Sequence, residues 1–270
     1  SFINQVASQA VSVEALIVDP VRAARAIPAS ECANPSIRAP SDLFEPGHRN
    51  SAGFDITDEQ TLRAFETSID RAGPVYRLEP MTPDAPAPTR RPRILYNPAE
   101  RNDRVAEVVE ADGETLTTAL LSAEQGLTAW SLQSPEQRTR VLDRTADLME
   151  AASFELLALL IREAGKTLSS AVRELREAVD LLRYDAERLR GRDHRVQVAP
   201  LGIVACLSPW NAPLSVFTGQ AASALAAGNA VIAKPAEPTP MISLRATQLH
   251  PDAGVPSVTR HLLTRDAVLA

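Results

Sequence analysis

The sequence predicts an α/β protein built on a parallel sheet, and three observations predict it. Residues 201–240 read LGIVACLSPWNAPLSVFTGQAASALAAGNAVIAKPAEPTP, the pattern of a strand, a crossover helix and a second strand. The two strand segments, 201–207 and 230–233, are continuous apolar runs with β-branched members, as expected of parallel strands buried on both faces. The middle of the chain, 112–190, is almost wholly helical in pattern.

The 270 residues suffice for one large or two ordinary domains. The division expected is 1–95, helices and a proline-rich connector, and 96–270, the sheet domain. A hydrophobic fraction of 44% permits a sizeable core, whereas 4% aromatics and 21 prolines imply that part of the chain lies outside it. The net charge is −6 and there is no long basic block, which argues against a nucleic-acid partner. No apolar run is long enough for a transmembrane segment. The chain opens SFINQVASQAV, without an initiator Met or a basic signal-peptide front; a cytoplasmic location and a processed or longer parent are the expectations. Cys32 and Cys206 are far apart, and His48, His194, His250 and His261 have no ligand spacing, so neither a disulfide framework nor a metal site is expected.

Taken in order, 11–26 has an amphipathic pattern in which Pro20 marks a bend or a helix restart. Prolines then punctuate an extended connector. Residues 58–71 form a better helix, with Leu62, Phe65 and Ile69 as its stripe, Thr57 as cap and Gln60 three positions on. Residues 74–92 are a second proline-rich connector. A turn at 97–100 precedes a strand at 104–109, part of a small outer sheet or hairpin. Residues 112–130 are helical, with Leu116, Leu120 and Leu127 facing the core. Ser134, Pro135 and Gln137 compose an N-cap, a first-turn proline and a reciprocal cap. The helix that follows turns Val141, Leu142, Leu148 and Met149 inward, and 151–154 either bends it or separates two helices. The apolar stretch 156–161 is expected against the sheet, and Gly165 ends it. Lys166 reads as a solvated cation beyond a helix end. From Thr167 or Ser169 a helix runs to about Arg190, burying Val172, Leu175, Val179, Leu182 and Leu189. Arg173, Glu174, Arg176, Glu177 and Arg183 form its solvent face, with opposite charges three and four apart worth roughly 0.2–0.5 kcal/mol per pair. Residues 195–199 read as a short strand.

In 201–240, 208–213 is a stiff turn with prolines on both sides of Trp210 and Asn211, and Gly228 and Asn229 close the crossover helix. Residues 234–240 form a polar loop at the carboxyl end of the second strand, where open α/β sheets hold ligands. Asn211 has two readings: its amide stabilises a developing oxyanion, or it caps the helix that follows. Lys234 and Glu237 either meet ligand hydroxyls and phosphate or pair with each other. Ser208, Thr218 and Gln220 are weaker candidates. Neither GxGxxG nor GxxxxGK[ST] is present, so the β-α-β pattern by itself identifies no nucleotide.

Three strings, REAGKTL at 162–168, SPWNAP at 208–213 and AAGNAVIAKPAEPTP at 226–240, resemble the coenzyme-binding half of the aldehyde dehydrogenase superfamily in wording, order and separation. Within it the chain is most similar to the glutamate-semialdehyde dehydrogenase module of bifunctional proline-utilisation proteins; SFINQV at 1–6 and RNSAGFD at 49–55 resemble the entry to that module. The resemblance implies a partial Rossmann-like, NAD-binding domain. It implies that Asn211 is the oxyanion amide, that Lys234 and Glu237 contact the adenine-side ribose, and that Ser208, Pro209 and Trp210 line the coenzyme pocket. Ala212 departs from the pattern, which usually has an aromatic there. The implied activity is NAD-dependent oxidation of L-glutamate 5-semialdehyde to L-glutamate in proline catabolism, with a proline dehydrogenase module as upstream partner. A partial sheet leaves apolar faces uncovered, so a homo-oligomer, or docking on a larger partner, is a further expectation. That chemistry needs a nucleophilic Cys and a Glu base. Cys206, inside a strand, reads as a small core hydrophobe, and Cys32 lies in a connector. Turnover by these residues alone is therefore not expected, and the alternative is a non-catalytic remnant of such a module. The tail after 256 carries no placed signature, and Pro251 is expected to interrupt the helix before it.

Overall fold

The structure is a computed structural model and describes residues 13, 17–28, 36–38, 43, 49–71, 75–83, 85–86, 91–191 and 199–264. The expected strand at 195–199, Cys32, His48, His194 and the string at 1–6 fall wholly or almost wholly outside them. The chain divides into two compact units, Ser1–Ala39 and Pro40–Ala270. In the first, helix α1 (Pro20–Ala26) starts at the proline, and Asp19 caps it by accepting the amide of Val21 at 2.9 Å. A proline at the first helical position costs no hydrogen bond, so Pro20 opens this helix.

The second unit begins with α2 (Glu59–Arg71), on which Phe65 is buried and Leu62 and Ile69 half-buried. Its cap is Asp58, whose carboxylate takes the amide and hydroxyl of Thr61 at 2.8 Å each; the expected cap, Thr57, bonds Asp55 instead. A small sheet follows, with β1 (Tyr76–Leu78), β2 (Arg93–Tyr96) and β3 (Arg104–Val108) in the order β1-β3-β2. β2 and β3 form the expected hairpin, while β1 lies inside the predicted connector and pairs in parallel with β3.

Four helices come next: α3 (Gly113–Ser131), α4 (Pro135–Ala151), α5 (Ser153–Ala164) and α6 (Leu168–Arg190). Their ends follow local chemistry. Asp112 caps α3, and both bonds of the Ser134–Gln137 capping box are present on α4. Ala152 separates α4 from α5, Gly165 closes α5 at φ 64°, and Thr167 caps α6. Inward faces match in part. Leu120 is exposed, and α3 buries Ala119, Ala123, Gly126 and Trp130 in place of a leucine stripe. The apolar run on α5 packs among helices α2, α6 and, further on, α8, rather than on the sheet.

The main sheet holds β4 (Ile203–Leu207), β5 (Ala230–Lys234) and β6 (Arg260–Leu262), all parallel, in the order β4-β5-β6. Helix α7 (Ser215–Ala226) crosses from β4 to β5 and α8 (Pro240–Ala253) from β5 to β6. Pro251 sits inside α8, which continues to Gly254 at φ 110°; no interruption occurs there. The third strand, β6, arises from the tail after 256, which carries no signature in the sequence.

β5 is buried on both faces with a period of two. Val231 and Ala233 join the cluster containing Phe217, Leu225 and Cys206. Ala230 and Ile232 join Ala111, Ala119, Ala123 and Leu263 on the α3 side. β4 differs from the expectation of a fully buried strand. Val204 and Cys206 face the main core, but Ile203, Ala205 and Leu207 are exposed, because among the described residues β4 is an edge strand and α3 covers β5 more than β4. The opposite edge is partly covered: Met81 exchanges main-chain hydrogen bonds with Leu262 at 3.0 and 3.2 Å.

Candidate functional site

The carboxyl ends of β4 and β5 are in register, with Leu207 opposite Lys234, and the amide of Ser208 donates to the Lys234 carbonyl at 3.2 Å. Two polar segments therefore start side by side: the turn 208–213 and the loop 234–240. Of the residues singled out in the sequence, Ser208 is buried, Pro209, Trp210, Asn211 and Glu237 are exposed, and Lys234 is half-buried. Thr218 is buried in α7, whereas Gln220 is exposed.

The helix after the turn is not capped by Asn211. The first two amides of α7, on Leu214 and Ser215, are taken by one carboxylate oxygen of Glu174, at 2.7 and 3.3 Å. This removes the competing reading of the Asn211 amide. It also places an anion at the helix end where dinucleotide folds commonly seat a pyrophosphate; a second anion there would meet like charge. The main-chain carbonyl of Asn211 accepts from Lys166 Nζ at 2.8 Å, and the same ammonium lies 2.6 Å from the other oxygen of Glu174. Lys166 is thus mostly buried and paired, not solvated. Glu174 and Arg183, expected on the solvent face of α6, are buried as well; Arg183 pairs with Glu150 at 2.6 Å and Asp147 at 3.1 Å.

The loop 234–240 is held from two elements. Arg93 on β2 donates to the Glu237 carbonyl at 2.9 Å, and its Nε lies 3.7 Å from the Glu237 carboxylate. At the loop's end, Glu163 on α5 accepts the amides of Met241 and Ile242 at 2.7 and 2.9 Å, capping α8. Burial pushes the Glu163 carboxyl up to about 8, with the two amides and Arg93 pulling the other way. Ser243 on α8 donates to the Pro213 carbonyl at 3.3 Å and so ties the loop's helix to the Asn211 turn.

Cys206 is buried and faces the core, and burial raises its thiol to about 11. Such a thiol is inert near neutrality, as expected of a small core hydrophobe. Among the described residues no cluster of His, Cys, Asp and Glu has the make-up of a metal site, and no helix is long and apolar enough to cross a membrane. A cleft of about 850 Å³ runs along α6, lined by Ser169, Arg176, Asp180 and Tyr184 among others. It includes none of the sheet-edge residues. Its polar groups hold down the segment at 50–51 instead: Asp180 accepts the Ser51 amide at 2.7 Å, and Arg176 donates to the Ser51 hydroxyl at 3.2 Å.

Sequence reasoning missed Arg93, Glu163, Lys166 and Glu174 as residues that shape this edge. Glu163 and Lys166 lie in the string REAGKTL, which was the available signal. Nothing in the charge pattern of α6 separates Glu174 from its solvated neighbours.

A parallel three-strand sheet with helices over both faces and two polar segments at its carboxyl edge defines an open α/β domain of the ligand-holding kind. Residues 87–268 match the aldehyde dehydrogenase family model, and the chain belongs to that family. It is 40% identical over 268 residues to the bifunctional protein PutA of Klebsiella aerogenes, covering 97% of this chain and 20% of that protein. It is 29% identical over 228 residues to 1-pyrroline-5-carboxylate dehydrogenase 1 of Halalkalibacterium halodurans, covering 79% of this chain and 44% of that one. The solved structure of a Thermus 1-pyrroline-5-carboxylate dehydrogenase with bound NAD superposes with a TM-score of 0.76 at 28% identity, over 82% of this chain and 46% of that chain. A Bradyrhizobium japonicum proline utilization A structure aligns over all of this chain, 100%, and 25% of its own, with a TM-score of 0.68 and 32% identity. The chain thus spans about a fifth of the length of the PutA relatives, 20%.

Proposed function

We propose that this chain forms the NAD-binding part of an enzyme that oxidises L-glutamate 5-semialdehyde to L-glutamate in proline catabolism. The observation that carries the reading is the register of β4 and β5, which starts the Asn211 turn and the Lys234–Glu237 loop side by side at the carboxyl edge. In this reading Lys234 and Glu237 hold the adenine-side ribose hydroxyls, an ammonium donating and a carboxylate accepting. Ser208, Pro209 and Trp210 line the coenzyme pocket. The residues fit the group: Glu237 is exposed and oriented by Arg93, and Lys234 is the last residue of a buried strand. Bound NAD would supply the hydride acceptor. The side-chain amide of Asn211, exposed and not spent on the helix cap, donates to the aldehyde oxygen as negative charge develops there, a contribution worth roughly 3 kcal/mol at such sites.

The domain boundary belongs to the same proposal, with 1–95 as an N-terminal region and 96–270 as an incomplete coenzyme-binding domain. So do a proline dehydrogenase module upstream, homo-oligomeric assembly and a cytoplasmic location. A second reading has its own observation. Cys206, buried with its thiol pushed up to about 11, cannot serve as nucleophile. Cys32, the other cysteine, reads from the sequence as part of a connector, and in this second reading the chain is a non-catalytic truncated or structural remnant of an aldehyde dehydrogenase module.

Calorimetric titration with NAD tests the first reading. Saturable heat is expected, reduced at least tenfold in affinity by Lys234→Ala with Glu237→Ala, since two charge-assisted contacts of about 1.5–3 kcal/mol each are lost. A folded sample giving no saturable heat would remove it. An assay of the same chain with glutamate semialdehyde should produce no NADH; turnover above the blank would overturn the second.

A further inference from the structure

We propose that the buried ion pair of Lys166 and Glu174 is the positioning device of the Asn211 turn. It rests on the reading of Asn211 as an oxyanion amide and adds what holds that amide still.

The pair holds the turn at Asn211 and at the two residues just after it. Lys166 Nζ holds the carbonyl of Asn211 itself at 2.8 Å. Glu174 holds the amides of Leu214 and Ser215, three and four residues on, at 2.7 and 3.3 Å. The two side chains then meet at 2.6 Å, with relative exposures of 15% and 4%. A main-chain carbonyl and two helix amides are thereby joined through one ammonium and one carboxylate. The elements that carry them are rigid: Lys166 follows the left-handed Gly165 that ends α5, and Glu174 sits in the second turn of α6. An exposed surface pair contributes little because its side chains are free to move; this one is desolvated and directed at main-chain atoms. The side chain of Asn211 is exposed, so the point from which its amide projects is set by what holds the turn's backbone. A donor placed within a few tenths of an ångström is what preorganised oxyanion stabilisation requires.

The alternative is that the turn is held by its own prolines, Pro209 and Pro213, and by Ser243 on the Pro213 carbonyl at 3.3 Å. The two accounts separate by experiment. Removing Lys166 alone leaves a buried, uncompensated carboxylate and risks the fold. The informative variant is therefore Lys166→Met with Glu174→Gln, which removes both charges at nearly constant volume and keeps an amide oxygen for Leu214 and Ser215. Backbone nitrogen-15 relaxation is read at Trp210, Asn211 and Ala212 in the wild type, in this double variant and in Lys166→Arg. In the wild type the order parameters should be near the rigid value of about 0.85, and in the double variant they should fall below about 0.6 at these residues with the rest of the spectrum unchanged. Lys166→Arg, which keeps a cation, should restore them. A turn that stays rigid in the double variant overturns the proposal. NAD titration of the wild type is run beside it. Binding together with an unchanged turn leaves the coenzyme reading standing and the positioning role refuted. A loosened turn without NAD binding in the wild type supports the anchor and removes the coenzyme reading.

Discussion

Gly126→Ala should destabilise the protein, although helix propensity argues the opposite. Gly126 lies in the interior of α3, where alanine in place of glycine ordinarily gains about 0.5–1 kcal/mol. The structure reverses the sign. A Cβ built there lies 2.3 Å from the Val258 carbonyl oxygen, 2.5 Å from its carbon and 2.8 Å from the Thr259 nitrogen. Normal carbon contacts are at roughly 3.5 Å, so α3 and the 3-10 turn Ser257–Thr259 must separate by about 1 Å. The obstacle is backbone on both sides and no rotamer change relieves it. That turn leads directly into β6, so the separation also strains the edge of the main sheet. Overpacking of this kind costs about 1–3 kcal/mol. With the propensity gain subtracted, a net loss of up to about 2.5 kcal/mol is expected. Urea unfolding followed by far-UV circular dichroism measures it as a lower midpoint at constant slope. Gly113→Ala is the matched control: nothing lies within 4 Å of its Cβ, and it should be neutral or slightly stabilising. If Gly126→Ala proves as stable as the wild type, the close approach of α3 to the turn before β6 is wrong.

Two further outcomes follow from the same structure. Glu163 has a carboxyl raised from an ordinary 4.5 to about 8, so the folded state holds its proton more tightly than the unfolded one. Its contribution is full below pH 4.5 and is lost as pH rises through 8; the stability difference between wild type and Glu163→Gln, from chemical denaturation at a series of pH values, should therefore shrink across that window, and a flat difference would refute the buried cap. The exposed face of β4, with Ile203 at 37% and Leu207 at 41% exposure, and Leu201 just before the strand at 91%, make an apolar edge. Sedimentation at increasing concentration should show self-association that Ile203→Lys weakens; a wild type that stays monomeric at high concentration would show that this edge does not drive assembly.

Where a feature depends on residues close in sequence, the sequence was enough. The Ser134–Gln137 capping box, the break at Ala152, the left-handed Gly165 and the Thr167 cap are each written within four or five residues, because they satisfy helix-end groups that only near neighbours reach. The β-α-β order of 201–240 is equally local, and it sufficed to put Asn211, Lys234 and Glu237 on segments leaving one sheet edge. What distant partners decide was not legible there. β1 is three residues hidden among prolines, made a strand by β3 about thirty positions on, and β6 is ordered by β5 and Met81. Glu174 looks like any charge on an amphipathic helix until α7 brings two unpaired amides against it, and Lys166 looks solvated until the Asn211 carbonyl closes over it. The apolar run of β4 read as buried because composition records what a strand prefers to touch, while its exposure depends on whether another strand lies beside it. Local sequence determined the helices, the two strands of the β-α-β unit and several helix ends; only the tertiary structure decided where β1 and β6 form, which charges are buried and which edge is open, since desolvation is a property of what packs around a group and not of the group itself.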